Sequence, residues 1–307
     1  MKLIKQSFEF INQTDFSLVG IKKHIERCAR VSYKSEEKIT ETSYEKFVNM
    51  LESRGHDRPL EFGTVYLSRT AQKEDNMAWL DKYTYSPWSK FSFGNGSTRI
   101  GGKLMNTIYV TTNYRVIKEN HWEDDLQYLC EPTEHHHKIY TVHMILDRGV
   151  MDEFRTHVGL SHLAESTRYC NYSKDKFDNE VTFIKPCWLD MHDTDEGREV
   201  TRNWNFDILD GCSIIAEEGE FDDARDAFLT SLNVAEHCYL ELLQKGWSPQ
   251  QARSVLPLGI KSELISCGFE DAWENFFKRR DAPDAHPMAQ EIAKPMHEEF
   301  FKLVNSH

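Results

Sequence analysis

One stretch of the sequence decides how the rest of the chain is interpreted, and it reads THVGLSHLAESTRYCNYSK at residues 156–174. Its centre, Glu165-Ser166-Thr167-Arg168, offers a hydroxyl group, consecutive backbone N–H groups and a guanidinium within four residues. Such donors suit a phosphomonoester, because charge-assisted hydrogen bonds to its oxygens are strong. A structural salt bridge would explain the same residue types equally well, so composition alone leaves both interpretations open.

The hydrophobic pattern on either side of this stretch indicates a mixed fold. Apolar residues predict strands at about 3–11, 64–67 and 139–146. They predict helices at about 16–31, 41–54, 150–158, 222–246, 248–255, 270–280 and 287–304. Ser248 caps one of these helices, with Pro249 at its first position and Gln251 at its third. With no internal repeat and no linker, we predict one α+β domain over residues 1–307, with a central, mostly antiparallel sheet flanked by helices.

Two weaker signals receive structural interpretations. Residues from about 70 to 102 are polar and aromatic without clear periodicity, which predicts an insertion or lid. Gly94–Arg99 lies within it and lacks the Gly-Lys-Ser/Thr ending of a phosphate loop, so we interpret it as a flexible turn. His135-His136-His137 cannot all face one ion on regular structure. We interpret these histidines as a solvated loop and expect no metal site.

Composition narrows the classes of partner and location. The chain has 37 Lys and Arg against 50 Asp and Glu, a net charge of −13, which would repel nucleic acid or an anionic membrane. It contains no run of about 18 apolar residues that could span a bilayer. The segment Met1–Lys5 leads into polar residues, without the apolar core of a signal peptide. The seven cysteines are scattered, which favours thiols in a reducing compartment. We expect a cytoplasmic protein.

The opening stretch resembles the signature of the flavin-dependent thymidylate synthases, whose core reads Arg-His-Arg-x-x-Ser-x-x-x-x-Ser-x-Arg. His157, Ser161, Ser166 and Arg168 have that spacing. Further motifs of the family are similar to Arg30–Tyr33, Gly55–Glu61, Gln251–Pro257, Trp273–Arg280 and Ala285–Pro287, in this order. The resemblance therefore covers most of the chain.

The resemblance implies an enzyme that transfers a one-carbon unit to C5 of a pyrimidine nucleotide. The family's reaction is the reductive methylation of dUMP to dTMP with methylene-tetrahydrofolate, FAD and NADPH. The resemblance implies that Arg280 is catalytic and stabilises negative charge on the uracil ring. The residues that it places at the substrate are Glu153, Glu165, Ser166, Thr167, Arg168 and Arg253.

The same resemblance implies a cofactor site and an assembly. The residues that it places near the flavin are Ser32, His56, His157, Ser161 and Asn275. In this family Arg253 reaches the nucleotide from another subunit, so the resemblance implies a homotetramer with shared active sites.

The sequence also departs from the family's pattern. Thr156 and Val158 stand where the family has the two arginines of its Arg-His-Arg core, and Asp271 stands where it has another arginine. Ala164 replaces a Glu or Gln near the base, and Phe62 replaces a His. Three hypotheses remain open: a methylating synthase that anchors FAD through other residues such as Arg155 or the 70–102 segment, a flavin-independent enzyme that hydroxymethylates a uracil or cytosine nucleotide, and a non-catalytic nucleotide-binding protein.

Overall fold

The structure is a computed structural model, and it describes residues 1–168, 170–189, 207–209, 213–215 and 224–305. Contacts between Cα atoms divide the chain into two compact units. The smaller unit comprises residues 1–7, 146–150 and 166–262, and the larger unit comprises residues 8–145, 151–165 and 263–307. We describe each unit by itself, and the single domain over 1–307 stays a prediction.

The larger unit contains most of the helices. They are α1 (Leu18–Tyr33), α2 (Ser43–Ser53), α3 (Lys73–Thr84), α4 (Tyr114–Glu119), α8 (Glu270–Arg280) and α9 (Pro287–Asn305). The Ser17 side chain accepts the Gly20 N–H and so caps the start of α1, and Lys34 ends this helix in the left-handed conformation with φ 49°. Ile21 and Ile25 of α1 are fully buried, so its apolar face packs into the core.

A four-stranded sheet in the order β2-β6-β11-β7 organises the larger unit. Its strands are β2 (Ser7–Phe10), β6 (Ile139–Asp147), β11 (Lys261–Phe269) and β7 (Ser161–Ala164). β7 pairs antiparallel with β11, with Leu264 opposite Ala164 and Cys267 opposite Ser161. The signature stretch therefore contains an edge strand, Ser161–Ala164, and leaves the sheet just before Glu165.

A second, three-stranded sheet in the same unit has the order β3-β5-β4. Its strands are β3 (Thr64–Gln72), β4 (Lys90–Ile100) and β5 (Lys103–Asn113), paired antiparallel. The segment at about 70–102 is therefore regular structure, formed largely by α3 and β4. The prediction of a flexible turn at Gly94–Arg99 is wrong, because these residues belong to β4. The turn lies at Gly101 and Gly102, whose φ angles of 58° and 80° suit glycine.

The smaller unit has its own core. Its elements are β1 (Lys2–Ile4), α5 (Arg148–Phe154, which continues into the larger unit), β8 (Thr182–Ile184), β9 (Asp207–Leu209), β10 (Ser213–Ile215), α6 (Ala224–Gln244) and α7 (Pro249–Ala252). β1 pairs with β8 in parallel, and β9 pairs with β10 antiparallel. Phe183 and Tyr239 are fully buried in its core. The predicted α+β class with antiparallel sheets and flanking helices is confirmed.

Two other predictions concern membrane spans and thiols. In the part of the chain that the structure describes, no helix has both the length and the apolar character that a membrane crossing requires. Cys28, Cys130, Cys238 and Cys267 are free thiols, and Cys212 lies outside the described residues.

Candidate functional site

The residues of the smaller unit that were predicted to bind the nucleotide are Ser166, Thr167, Arg168 and Arg253. The first three lie in the segment after β7, and Arg253 lies at the end of α7. Ser248 and Gln251 form the predicted capping box at the start of α7. This short helix runs directly into Arg253, whose Nη1 donates a hydrogen bond of 2.8 Å to Oγ1 of Thr167. Thr167 is buried while its neighbour Arg168 is exposed. The structure therefore brings together two predicted site residues that are 86 positions apart in the sequence.

Arg280 is the last residue of α8 in the larger unit, and Glu153 of α5 holds its guanidinium. Nη1 forms an ion pair with the Glu153 carboxylate, and Nη2 donates to the Glu153 backbone oxygen over 2.9 Å. The guanidinium carbon lies 5.8 Å from the ring centroid of Phe154. The Nε donor is buried and has no partner among the described residues. Arg280 is thus fixed in place by Glu153, and its Nε–H group is unpaired.

Glu165 lies beside a buried charge cluster that sequence analysis did not find. Its backbone N–H donates to the backbone oxygen of Glu263 over 2.7 Å, and its carboxylate is 1% exposed. Lys34 forms an ion pair with one carboxylate oxygen of Glu263, and His143 Nε2 lies 2.8 Å from the other. Burial acts to lower the pKa of Lys34, but the carboxylates of Glu165, Glu263 and Glu36 raise it overall. The only sequence signal was a Glu within the apolar run of β11.

Two residues predicted at the flavin contact each other. Nδ2 of Asn275 lies 3.5 Å from Nε2 of His157, and the His157 side chain is buried against the Phe276 ring. Burial lowers the pKa of His157, and the charges of Arg280 and Arg279 lower it further. His157 is therefore a neutral hydrogen-bonding group at neutral pH, and its protonated form is disfavoured.

The other predicted cofactor residues, Ser32, His56 and Ser161, also belong to the larger unit. The Ser32 hydroxyl is buried on α1 without a partner among the described residues. His56 follows α2, and its Nδ1 lies 3.1 Å from the hydroxyl of Tyr33. Ser161 is buried at the start of β7. Among the described residues, no hydrogen bond joins these three side chains to His157 or Asn275. The Ser32 hydroxyl is unsatisfied and is available for a hydrogen bond to a ligand.

Of the three positions that depart from the family signature, Thr156 and Asp271 make contacts with neighbouring residues and Val158 is exposed. The Thr156 hydroxyl donates to the Glu153 backbone oxygen over 2.8 Å, and Val158 is 86% exposed. Asp271 forms an ion pair of 2.5 Å with Lys90. Arg155 forms an ion pair of 2.9 Å with Asp152. None of the three positions has a cationic side chain of its own, and the Lys90 ammonium lies beside Asp271.

A cavity of about 500 Å³ lies in the larger unit, next to the first turn of α8. Its lining includes Lys90, Lys138, Tyr140, Glu270 and Glu274. It also includes His136, which was predicted to be solvated. That prediction is wrong for His136, because its ring is 6% exposed and its Nε2 lies 3.1 Å from the Leu67 backbone oxygen.

Comparisons with known proteins agree with the resemblance seen in the sequence. A sequence model described as "Thymidylate synthase complementing protein" matches residues 67–304. Among curated proteins, no sequence gives a significant match. Similar solved structures include the UMP/dUMP methylase PolB from Streptomyces cacaoi bound with 5-Br UMP, at 17% identity and a TM-score of 0.40, covering 99% of this chain and 92% of that chain. The same methylase bound with 5-Br dUMP gives 16% identity and a TM-score of 0.39, covering 99% and 93%. These two likenesses are too weak to support an inference about substrate or mechanism.

Proposed function

The chain belongs to the family of thymidylate synthase complementing proteins, the flavin-dependent thymidylate synthases, and we propose that it methylates C5 of dUMP to give dTMP. The family match supports a thymidylate synthase-like methyltransferase. The proposed one-carbon donor is methylene-tetrahydrofolate, and FAD and NADPH supply the reducing equivalents in this family's reaction. We also propose that the protein is cytoplasmic and forms a homotetramer, and light scattering of the purified protein would test the tetramer.

The observation that carries the nucleotide assignment is the contact between Arg253 and Thr167. Both residues belong to one chain, so the phosphate site proposed here takes Arg253 from the same subunit, unlike the shared site that the resemblance implies. A guanidinium held in place beside a hydroxyl group and a turn of backbone N–H groups offers several donors to one phosphate. Because these groups are already oriented, less conformational entropy is lost when the nucleotide binds. Ser166 and Arg168 flank Thr167 and complete the proposed phosphate site.

Arg280 supports the assignment of a reaction at the base. Attack by C5 of uracil on an electrophilic carbon requires enolate-like negative charge on the ring oxygens O4 or O2. A fixed guanidinium stabilises that charge without giving up a proton, because arginine stays protonated. The ion pair with Glu153 holds Arg280 in place.

The residues present do not fit a flavin bound in the family's usual way. The FAD diphosphate is anionic, and the family offers it arginines at the positions of Thr156, Val158 and Asp271. Here the Thr156 hydroxyl is hydrogen-bonded to the backbone, and Val158 is apolar and exposed. Asp271 is an acid paired with Lys90. None of the three side chains therefore supplies a cation to the diphosphate.

This mismatch favours a second candidate, hydroxymethylation without flavin. C5 would form a bond with the methylene carbon of methylene-tetrahydrofolate, and the proton from C5 would leave. Water would then add to that carbon as the bond to tetrahydrofolate breaks, giving a 5-hydroxymethyl nucleotide and tetrahydrofolate without a reductant. The base could be uracil or cytosine, because Ala164 removes the acid or amide that the family uses near the base.

One set of incubations separates these candidates. The purified protein is given dUMP or dCMP with methylene-tetrahydrofolate, with and without FAD and NADPH, and the products are identified by mass spectrometry. Formation of dTMP only when FAD and NADPH are present supports the methylase. A hydroxymethyl product without reductant supports the second candidate. If nucleotide binds and no product forms under any condition, both are wrong and the chain is a nucleotide-binding protein.

A further inference from the structure

The β4 strand contains a bulge, Gly94–Gly96, whose middle residue is an asparagine. Phe93 lies opposite Ile108 of β5, and Ser97 lies opposite Asn106. Three residues of β4 therefore stand where β5 has one, and they have no partner in the register with β5. Residues in a bulge depart from the regular strand conformation, because the ladder does not fix them on both sides.

The bulge is open to solvent and its backbone is bent. Asn95 and Gly96 are both exposed, and Gly96 has a φ of 85°, in the left-handed region. A Cβ atom built on Gly96 would meet no other atom within 4 Å. The Asn95 side chain and water therefore have room to approach the peptide bond between the two residues.

Asn95 is the only asparagine in the chain that is followed by glycine. In such a pair the side-chain carbonyl carbon, Cγ, and the next backbone nitrogen are close enough to close a five-membered ring, and an intramolecular attack has a low entropy cost. Glycine has no Cβ atom to hinder it. The extended backbone of a regular strand keeps the two atoms apart, because its side chains stand away from the main chain. A bulge relaxes that restraint.

We propose that Asn95 is a site of spontaneous covalent modification, by deamidation through a succinimide. The Gly96 nitrogen loses its proton and attacks Cγ of Asn95. As the new C–N bond forms, the bond from Cγ to Nδ2 breaks, and ammonia leaves with the proton. Water then opens the ring at one of its two carbonyl groups, giving aspartate or isoaspartate. Water is the only co-reactant, and the inference does not depend on the proposed function.

Asn106 lies in the same hairpin and provides an internal comparison. It belongs to the central strand β5 and is paired with both β3 and β4. Its Oδ1 accepts a hydrogen bond of 3.1 Å from Nδ2 of Asn76, and the residue that follows it, Thr107, is β-branched. The ladder must open before Asn106 can react, which costs part of the free energy of unfolding. We therefore expect Asn106 to remain intact while Asn95 converts.

Conversion changes both the charge and the backbone of the hairpin. Between residues 86 and 113 the charged side chains are Lys90, Arg99 and Lys103, and none is acidic. The product therefore adds the first carboxylate side chain to this basic segment. Isoaspartate also lengthens the main chain by one atom. The bulge can accommodate that atom without a change in the flanking pairs, so the fold should survive the modification.

The test incubates the full-length protein in neutral buffer, both folded and unfolded in guanidinium chloride, and follows each asparagine by peptide mass spectrometry. In the folded protein Asn95 should convert at a rate within ~10-fold of that in the unfolded chain, because little or no opening is needed. Asn106 should convert at least ~10²-fold more slowly in the folded protein than in the unfolded chain.

Hydroxylamine gives a second measurement, because it cleaves the succinimide and should cut the folded chain after Asn95. The variant Asn95→Gln keeps the amide but would have to close a six-membered ring, which is slower. This variant should lose both the cut and the mass increase at residue 95. Its melting temperature should be unchanged, since the side chain is exposed.

Three results would overturn the inference. If Asn95 converts in the unfolded chain and stays intact in the folded protein, the bulge holds the reacting atoms apart. If Asn95 and Asn106 convert equally fast in the folded protein, the bulge gives no selectivity. If hydroxylamine cuts the Asn95→Gln variant as it cuts the native chain, the reactive bond lies elsewhere.

Discussion

Arg253 donates a hydrogen bond of 2.8 Å to the hydroxyl of Thr167 and thereby joins the end of α7 to the turn that follows β7. Thr167 is buried and Arg253 is partly buried, so the contact is shielded from bulk water. Shielding strengthens a charge-assisted hydrogen bond relative to one at an exposed surface. The phosphate site proposed here is consequently formed before the nucleotide arrives.

Arg253→Ala is expected to weaken dUMP binding by ~10–100-fold, because it removes charge-assisted hydrogen bonds to the phosphate. Lys245→Ala is a matched control, since Lys245 is a cation in the same unit whose ion pair with Glu241 lies at the surface. Equilibrium dialysis with labelled dUMP measures both. Equal affinities in the two variants would remove Arg253 from the nucleotide site.

Arg280→Ala should reduce turnover by at least ~10²–10³-fold and change dUMP affinity much less, because the guanidinium acts on charge that develops during reaction. The stability cost should be small, since Glu153 is 35% exposed and can be solvated when its partner is lost. Arg279→Ala, at an exposed position one residue earlier, is the control. Steady-state kinetics that show a raised KM with an unchanged kcat would contradict the catalytic role of Arg280.

Acid should destabilise the protein through His162. Nδ1 of His162 lies 2.8 Å from the Ser266 hydroxyl and Nε2 lies 3.2 Å from the His157 backbone oxygen, so the neutral ring uses both nitrogens. Burial, and then the charges of His157, Arg58 and Arg155, lower the pKa of His162 to about 4 from 6.5, while a hydrogen bond to the His157 backbone acts in the opposite direction.

Between about pH 4 and pH 6.5, His162 is protonated in the unfolded chain but not in the folded protein. The free energy of unfolding should therefore be highest above about pH 6.5, fall as the pH decreases, and level off below about pH 4, with a total loss of roughly 3 kcal/mol from this group. Urea unfolding at several pH values measures it. His162→Asn should make the dependence shallower, whereas His237→Asn, at an exposed position on α6, should not. Parallel curves for all three proteins would refute the assignment to His162.

Lys34→Met should lower the free energy of unfolding by ~3–5 kcal/mol, because it leaves the buried Glu263 carboxylate without its cation. Lys34 and Glu263 are 14% and 8% exposed, so water cannot easily replace the lost partner. Adding Glu263→Gln to this variant removes the buried charge and should recover part of the loss. The comparison requires urea unfolding of the native protein, both single variants and the double variant. Additive losses would show that the two residues do not interact.

The sequence offers more information about the candidate site than about the sheets. Arg253, Thr167 and Arg280 could be proposed as site residues because their residue types match short motifs, and motif spacing is visible without coordinates. β11 was missed because nearly all of its residues are buried. A strand buried on both faces lacks the alternation of polar and apolar residues that identifies a half-exposed strand.

Other wrong predictions also have physical causes, one of them local and the rest long-range. The helix predicted near 150–158 ends at Phe154, and the Thr156 side chain bonds the Glu153 backbone oxygen just beyond that end. His136 was predicted to be solvated, but it is buried against β3, 69 positions earlier in the chain. No local pattern reports such a long-range contact. The cavity beside α8 was invisible for the same reason, because its walls come from four separate segments.

The register shift in β4 between Phe93 and Ser97 has a consequence for behaviour at high concentration. β4 is an edge of the three-stranded sheet among the described strands, and the free hydrogen-bonding groups of an edge can recruit a second chain. A local break in register twists the edge, and Gly94 and Gly96 weaken its tendency to remain extended. Edge-to-edge pairing of β4 with a second chain is thereby disfavoured. We therefore expect the folded protein to resist fibril formation.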